Sequence, residues 1–127
     1  MKKPIHTPLA PAAIGPYSQA ISSTSGNLVF LSGQIPLDPT TGEITHGDFE
    51  ARTRQVFQNI SAVCAAAGGS LNQIIKLNIY LLDMANFPIV NSVMSELFNQ
   101  PYPARATIAV MGLPKNADIE IEAILAL

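Results

Sequence analysis

Across Gly68-Gly69 the hydrophobic repeat of this chain changes period, and that change dictates a layered fold. Over residues 48–67, Val56, Ile60, Val63, Cys64 and Ala67 recur at helical offsets and make one apolar helix face. Over residues 74–82, Ile75, Leu77, Ile79 and Leu81 alternate with Lys76, Asn78 and Tyr80, the period of a strand. Each element has one apolar face, so helix must be buried against sheet. Thr45 and Asp48 have the spacing of a capping box, with Asp in place of the preferred Glu or Gln. Gly68-Gly69 supplies the stop, since glycine tolerates the left-handed conformation past a helix end.

The rest of the chain is read against that pair. Residues 1–16 hold four prolines and a glycine and predict an extended arm or loop. Strands are predicted over 17–23 and 27–33, separated by Thr24-Ser25-Gly26. Leu28, Val29, Phe30 and Leu31 run as in a strand buried on both faces. Residues 36–44 are turn chemistry, opened by Asp38-Pro39 and closed by Gly42. A second helix over 87–98 carries Phe87, Val90, Met94, Leu97 and Phe98 at helical spacing, with Pro88 suited to its first turn. Strands over 105–111 and 118–126 follow, joined through 113–116. The expected order is β-β-α-β-α-β-β, an α/β (α+β) single domain over 1–127 with both helices on one face of a single sheet. At 127 residues, 48% hydrophobic and 13% charged, such a chain carries more apolar surface than a small monomer covers, which points to self-association.

Several function classes lose support. The net charge is -2 and the seven basic residues are scattered, so no basic stripe exists to displace counterions from nucleic acid. Trp is absent, and no aromatic-basic interleaving suggests a stacking platform. One cysteine, Cys64, excludes an internal disulfide, and His6 and His46 stand apart without metal-ligand spacing. No apolar run reaches membrane-spanning length, and Lys2-Lys3 precede His6, Thr7 and Pro8 rather than a signal-peptide core. Cytoplasmic residence is the expectation.

The chemistry is expected around Arg105. Arg105 and Thr107 share one strand face; Asp118, Glu120 and Glu122 share a face of the last strand. A guanidinium is a planar fork that matches a carboxylate with two parallel hydrogen bonds. Two readings stay open: an ion pair with Glu120 or Glu122, or an anion site. A nearby carboxylate is suited to general acid/base work, and spacing does not rank Glu120 above Glu122. Tyr17 offers either a hydroxyl or an amphipathic filler of the core. Cys64 falls on the apolar helix face and reads as a buried small hydrophobe. Ser32-Gly33-Gln34, leaving a strand, offers backbone donors or only a tight strand exit.

Five segments together give a resemblance: APAAIGPYSQAI (10–21), FLSGQIPLDPTTGEI (30–44), NI–AAAG (59–68), PYPARATIAV (101–110) and LPKNADIEIEAI (113–124). Distributed over nearly the whole chain, they resemble the reactive intermediate deaminase family, also called Rid or YjgF and labelled L-PSP endoribonuclease or translation inhibitor. The resemblance implies a chorismate-mutase-like fold, a homotrimer with clefts at subunit interfaces, and no metal or organic cofactor. It implies hydrolysis of reactive enamines and imines, such as 2-aminoacrylate, to 2-keto acids and ammonia, as in a 2-iminobutanoate/2-iminopropanoate deaminase. The family's carboxylate-binding arginine falls on Arg105, its water-orienting glutamate on Glu120 and its active-site tyrosine on Tyr17. Pocket-lining backbone falls on Ser32 and Gly33, an interface asparagine on Asn91 and a cleft-wall aromatic on Phe87. Many members carry a cysteine two residues after the arginine; Thr107 stands there, which removes any thiol chemistry and leaves a hydroxyl. The resemblance leaves two rival readings: a ribonuclease that blocks translation, and a non-catalytic sensor of small carboxylates.

Overall fold

The computed structural model describes residues 2–24 and 26–127; Met1 of the arm and Ser25 of the expected strand break lie outside the described residues. In chain order the elements are β1 (Lys2–Ile5), β2 (Ala20–Ser23), β3 (Leu28–Gln34), α1 (Phe49–Ala66), β4 (Ile74–Leu81), α2 (Phe87–Leu97), β5 (Ala104–Ala109) and β6 (Ile119–Ala126). Strands β3, β6, β4 and β5 form one sheet in that spatial order, and β1 and β2 form a separate two-stranded ribbon. Only β4 and β5 run parallel, and α2 makes the crossover that a parallel pair requires.

The mixed α+β fold with two helices on a sheet is as expected. Its division into two sheets is not: β2 and β3 pair with different partners rather than with each other, and β1 falls within the segment expected to be a loop. Pro4 is tolerated there because a two-stranded ribbon leaves edge positions where no donor is needed.

The core explains the layer. Ile74, Leu77, Ile79 and Leu81 of β4 and Ile119, Ile121, Ala123 and Leu125 of β6 bury one sheet face against Val56, Phe57, Ile60 and Cys64 of α1 and Val90, Val93 and Met94 of α2. A large aliphatic side chain buried in this way contributes about 1.5–3 kcal/mol. Phe57 meets Phe98 edge to face, with ring centroids 5.6 Å apart. The expected helix face is rotated by this contact: Phe57 and Thr53 are buried, whereas Val63 and, on α2, Leu97 are exposed. In β4 a register shift between Ile74 and Lys76 puts Ile74 into the core instead of Ile75.

α1 starts one turn later than the capping box implied. Asp48 is itself the N-cap and accepts from the Ala51 N–H at 2.9 Å; Thr45 has no cap role and its hydroxyl is buried without a partner. Gly68, at φ 92°, follows the helix end as expected. β3 departs most from expectation. As an edge strand it buries only Leu31, and Phe30 is 71% exposed, because β6 is its single partner and, among the described residues, one sheet face has no covering layer.

Candidate active site around Arg105

Arg105 is the second residue of β5, the sheet's outer strand, in register with Leu77 of β4. Paired residues share a sheet face, so the side chain emerges on the helix side, at the rim of the core. α2 supplies three of its neighbours. Arg105 Nη1 donates to Asn91 Oδ1 at 2.6 Å and lies 3.5 Å from Met94 Sδ, and its guanidinium carbon is 5.1 Å from the Phe87 ring centroid. The arm supplies the fourth: the Tyr17 ring centroid is also 5.1 Å away. Two aromatic rings therefore flank the fork, a favourable setting for a cation.

The arm reaches this point through a tight bend. Gly15 takes φ 123°, closed to most side chains, and its backbone runs close enough that a Cβ would stand 3.8 Å from Arg105 Nη2. The Tyr17 N–H donates to the Gly15 carbonyl at 2.8 Å, and the Tyr17 hydroxyl accepts from the Ile14 N–H at 3.3 Å. Ile14, Tyr17, Phe87, Arg105 and Thr107 line a cavity of about 260 Å³. The Thr107 hydroxyl is buried there with no hydrogen-bond partner.

Electrostatics set Arg105 apart. Arg52 and Arg54 are held by carboxylates, Asp118 at 2.8 Å and Glu96 at 2.9 Å respectively. Among the described residues no carboxylate lies within ion-pair distance of Arg105. Burial pushes its guanidinium below its ordinary pKa, partly offset by Tyr17; the group nevertheless stays a cation at working pH.

The ion-pair reading is not realised within the chain. Glu120 and Glu122 register with Tyr80 and Asn78, and so project from the sheet face opposite Arg105. Glu122 is tied down there: its Oε1 accepts from the Tyr80 hydroxyl and, at 3.3 Å, from Asn78 Nδ2. Glu120 instead packs beside Gly33, where an added Cβ would stand 2.9 Å from its carboxyl carbon. Ser32 and Gly33 occupy a bulge, since Leu31 pairs with Ala123 and Gln34 with Ile121. The structure thus brings Arg105, Tyr17, Phe87, Asn91 and Thr107 together on one side, and Ser32, Gly33 and Glu120 on the other.

Sequence reasoning did not single out Ile14 or Met94 for the site. Ile14 sits in the bend before Gly15-Pro16 and is 84% exposed, an unusual place for a large apolar side chain. Met94 gave no signal beyond a core position. Cys64 is buried in the core as expected, and burial raises its thiol pKa. Among the described residues, no group of three or more His, Cys, Asp or Glu gathers as metal ligands would.

Comparison with known proteins places this arrangement in context. The profile described as endoribonuclease L-PSP matches residues 7–127. A RutC family protein of Pyrococcus horikoshii is 53% identical over 124 residues, covering 98% of this chain and 97% of its own. The 2-iminobutanoate/2-iminopropanoate deaminase of Dermatophagoides farinae is 46% identical over 124 residues, covering 98% and 95%. The crystal structure of E. coli TdcF with bound serine superposes with a TM-score of 0.75 at 41% identity, covering 98% of each chain.

Proposed function

The chain belongs to the endoribonuclease L-PSP (Rid) family, and from that premise we propose that it hydrolyses small 2-imino acids to 2-keto acids and ammonia. The substrates in this reading are 2-iminobutanoate and 2-iminopropanoate, the latter reached by tautomerisation of 2-aminoacrylate. The family includes relatives named as reactive intermediate deaminases, which supports deamination as the general activity. The observation that carries the substrate class is the Arg105 fork, flanked by two aromatic rings, facing a cavity and paired with no carboxylate.

Arg105 holds the substrate carboxylate through two parallel hydrogen bonds. Asn91 fixes one guanidinium nitrogen, so the fork is oriented before the substrate arrives. The Thr107 hydroxyl, which has no hydrogen-bond partner among the described residues, is available to the bound acid. Water adds to the C=N carbon while the nitrogen gains a proton. The tetrahedral carbinolamine then loses ammonia and leaves the ketone. Glu120 and Tyr17 position that water and carry the proton transfers. General acid/base catalysis contributes roughly 10²–10⁴-fold, enough for a reaction that is already fairly quick in water.

Because Glu120 and Arg105 leave the sheet on opposite sides, the reading requires Glu120, Ser32 and Gly33 from a neighbouring copy. A homotrimer with clefts between subunits meets this, and exposed Leu28, Phe30 and Ile108 are apolar surface for such contacts. The proposal is a single-domain, cofactor-free protein of the cytoplasm; no described helix is long and apolar enough to cross a membrane.

The test generates imino acids with an amino-acid oxidase and follows semicarbazone formation with and without the protein. Wild type should divert the imine from semicarbazide, and Arg105→Ala should not. If wild type and Arg105→Ala compete equally poorly with semicarbazide, the deaminase reading fails.

A further inference from the structure

The arm that carries Tyr17 to Arg105 is itself gathered by a single side chain. Gln19 Oε1 accepts from the Thr7 N–H at 2.7 Å. Gln19 Nε2 faces the carbonyls of Thr7, Ala10 and Pro11 at 3.1, 3.3 and 2.7 Å. An amide has two N–H bonds, so with three acceptors one of them is shared between two carbonyls. Pro8 and Pro11 lack backbone donors, so the segment cannot enter a strand ladder to organise itself. A carboxamide, which both donates and accepts, takes the ladder's place.

Three consecutive residues hold three different things. Tyr17 stands against the guanidinium. The Ser18 N–H donates to the Pro103 carbonyl at 3.0 Å, and its hydroxyl donates to the Tyr102 carbonyl, anchoring the chain beside the entry to β5. Gln19 gathers residues 7–11, and a few residues further on the chain reaches Ile14, which lines the cavity. Gln19 touches neither the cavity nor Arg105. Its influence runs through the arm.

We propose that Gln19 is a positioning residue of the carboxylate site: by folding residues 7–11 around its amide, it sets where Ile14 and Tyr17 stand against Arg105, and so sets the affinity for a small 2-oxo or 2-imino acid. The affinity part rests on the function proposed above; the gathering of the arm does not.

The experiment compares wild type with Gln19→Met, which keeps the length and loses every hydrogen bond, and Gln19→Glu, which keeps the acceptor and turns the donor side into a repelling carboxylate. Amide hydrogen exchange is read at Thr7 and Ile14, affinity with 2-oxobutanoate by calorimetry, and global stability by thermal unfolding. Both variants should keep the wild-type unfolding midpoint. Gln19→Met should speed exchange at both amides, whereas Gln19→Glu should speed it at Ile14 and largely spare Thr7. Both should weaken 2-oxobutanoate binding by about three- to tenfold, the scale of one lost hydrogen bond. Unchanged exchange in Gln19→Met overturns the gathering role. Faster exchange with unchanged affinity overturns the positioning role. Should wild type neither bind 2-oxobutanoate nor divert the imine, the functional reading falls and the affinity claim with it, while exchange still decides the arm.

Discussion

Arg52 and Arg105 each stand near the start of an element at the boundary between helix and sheet, Arg52 in α1 and Arg105 in β5, and have opposite fates. Arg52, in the first turn of α1, closes a fork on Asp118 with Nε and Nη2, at 3.0 and 2.8 Å, while Nη1 donates to the Gly47 carbonyl at 2.6 Å. Every part of that guanidinium is used, and the bond ties α1 to the start of β6. Arg105 is fixed by one amide oxygen and two aromatic rings, none of which neutralises it. Aromatic faces and a carboxamide orient a cation without consuming its charge. The difference teaches how to tell a structural arginine from a receptive one: what matters is which partner chemistry holds the fork, more than how buried it is.

The comparison breaks most visibly at Arg105. Arg105→Ala should lower imine diversion by about 100-fold or more, the loss of a bidentate charge-assisted contact with its orientation, and should leave the unfolding midpoint close to wild type. Next in size is Gly33→Ala, which touches neither arginine. The nearest atoms to the new Cβ belong to the flexible Glu120 side chain, so folding should be preserved while imine diversion falls by roughly tenfold, within the range of general acid/base catalysis; binding of 2-oxobutanoate should hold. An equal loss in binding would place Glu120 with Arg105 rather than with the water.

Arg52→Ala should do the reverse. Chemical denaturation should show a loss of about 1–2 kcal/mol, a partly exposed pair with several charge-assisted bonds, with carboxylate binding unchanged. The smallest effect belongs to Tyr80, whose hydroxyl donates to Glu122 and whose pKa is raised chiefly by that bond. A raised folded-state pKa gives stability that is fully present below the tyrosine's unfolded pKa of about 10 and is lost as pH rises through the folded value. Thermal unfolding followed through that alkaline range should fall less steeply for Tyr80→Phe than for wild type.

Much of the fold was legible because period and burial share one cause. Val56, Ile60, Cys64, Val90 and Met94 repeat at helical spacing and are buried at that spacing. Leu77, Ile79 and Leu81 do the same for a strand. What periodicity could not carry was anything set by a partner element. The rotation of α1 toward Phe57 depends on Phe98, a neighbour in space that lies far along the chain and outside any local pattern. The shift that buries Ile74 depends on β6, and the ribbon of β1 and β2 on the absence of a β2–β3 pairing. The site shows the same division. Arg105 and Thr107 on one face, and Glu120 and Glu122 on one face, were readable from alternation within each strand. Whether those two faces coincide is fixed only by β4 lying between β5 and β6, and no spacing within a strand contains that information.

That interposed strand has a kinetic consequence. With the guanidinium and the carboxylate on opposite sides of one sheet, a lone chain holds two halves that cannot meet, so under the proposed function turnover becomes a property of encounters between molecules. In serial dilution, halving the protein should cut the rate by more than half once copies begin to separate, and mixing Arg105→Ala with Gly33→Ala should give more activity than the two variants show separately. A rate strictly proportional to concentration at every dilution, with no gain on mixing, would mean that each chain works by itself.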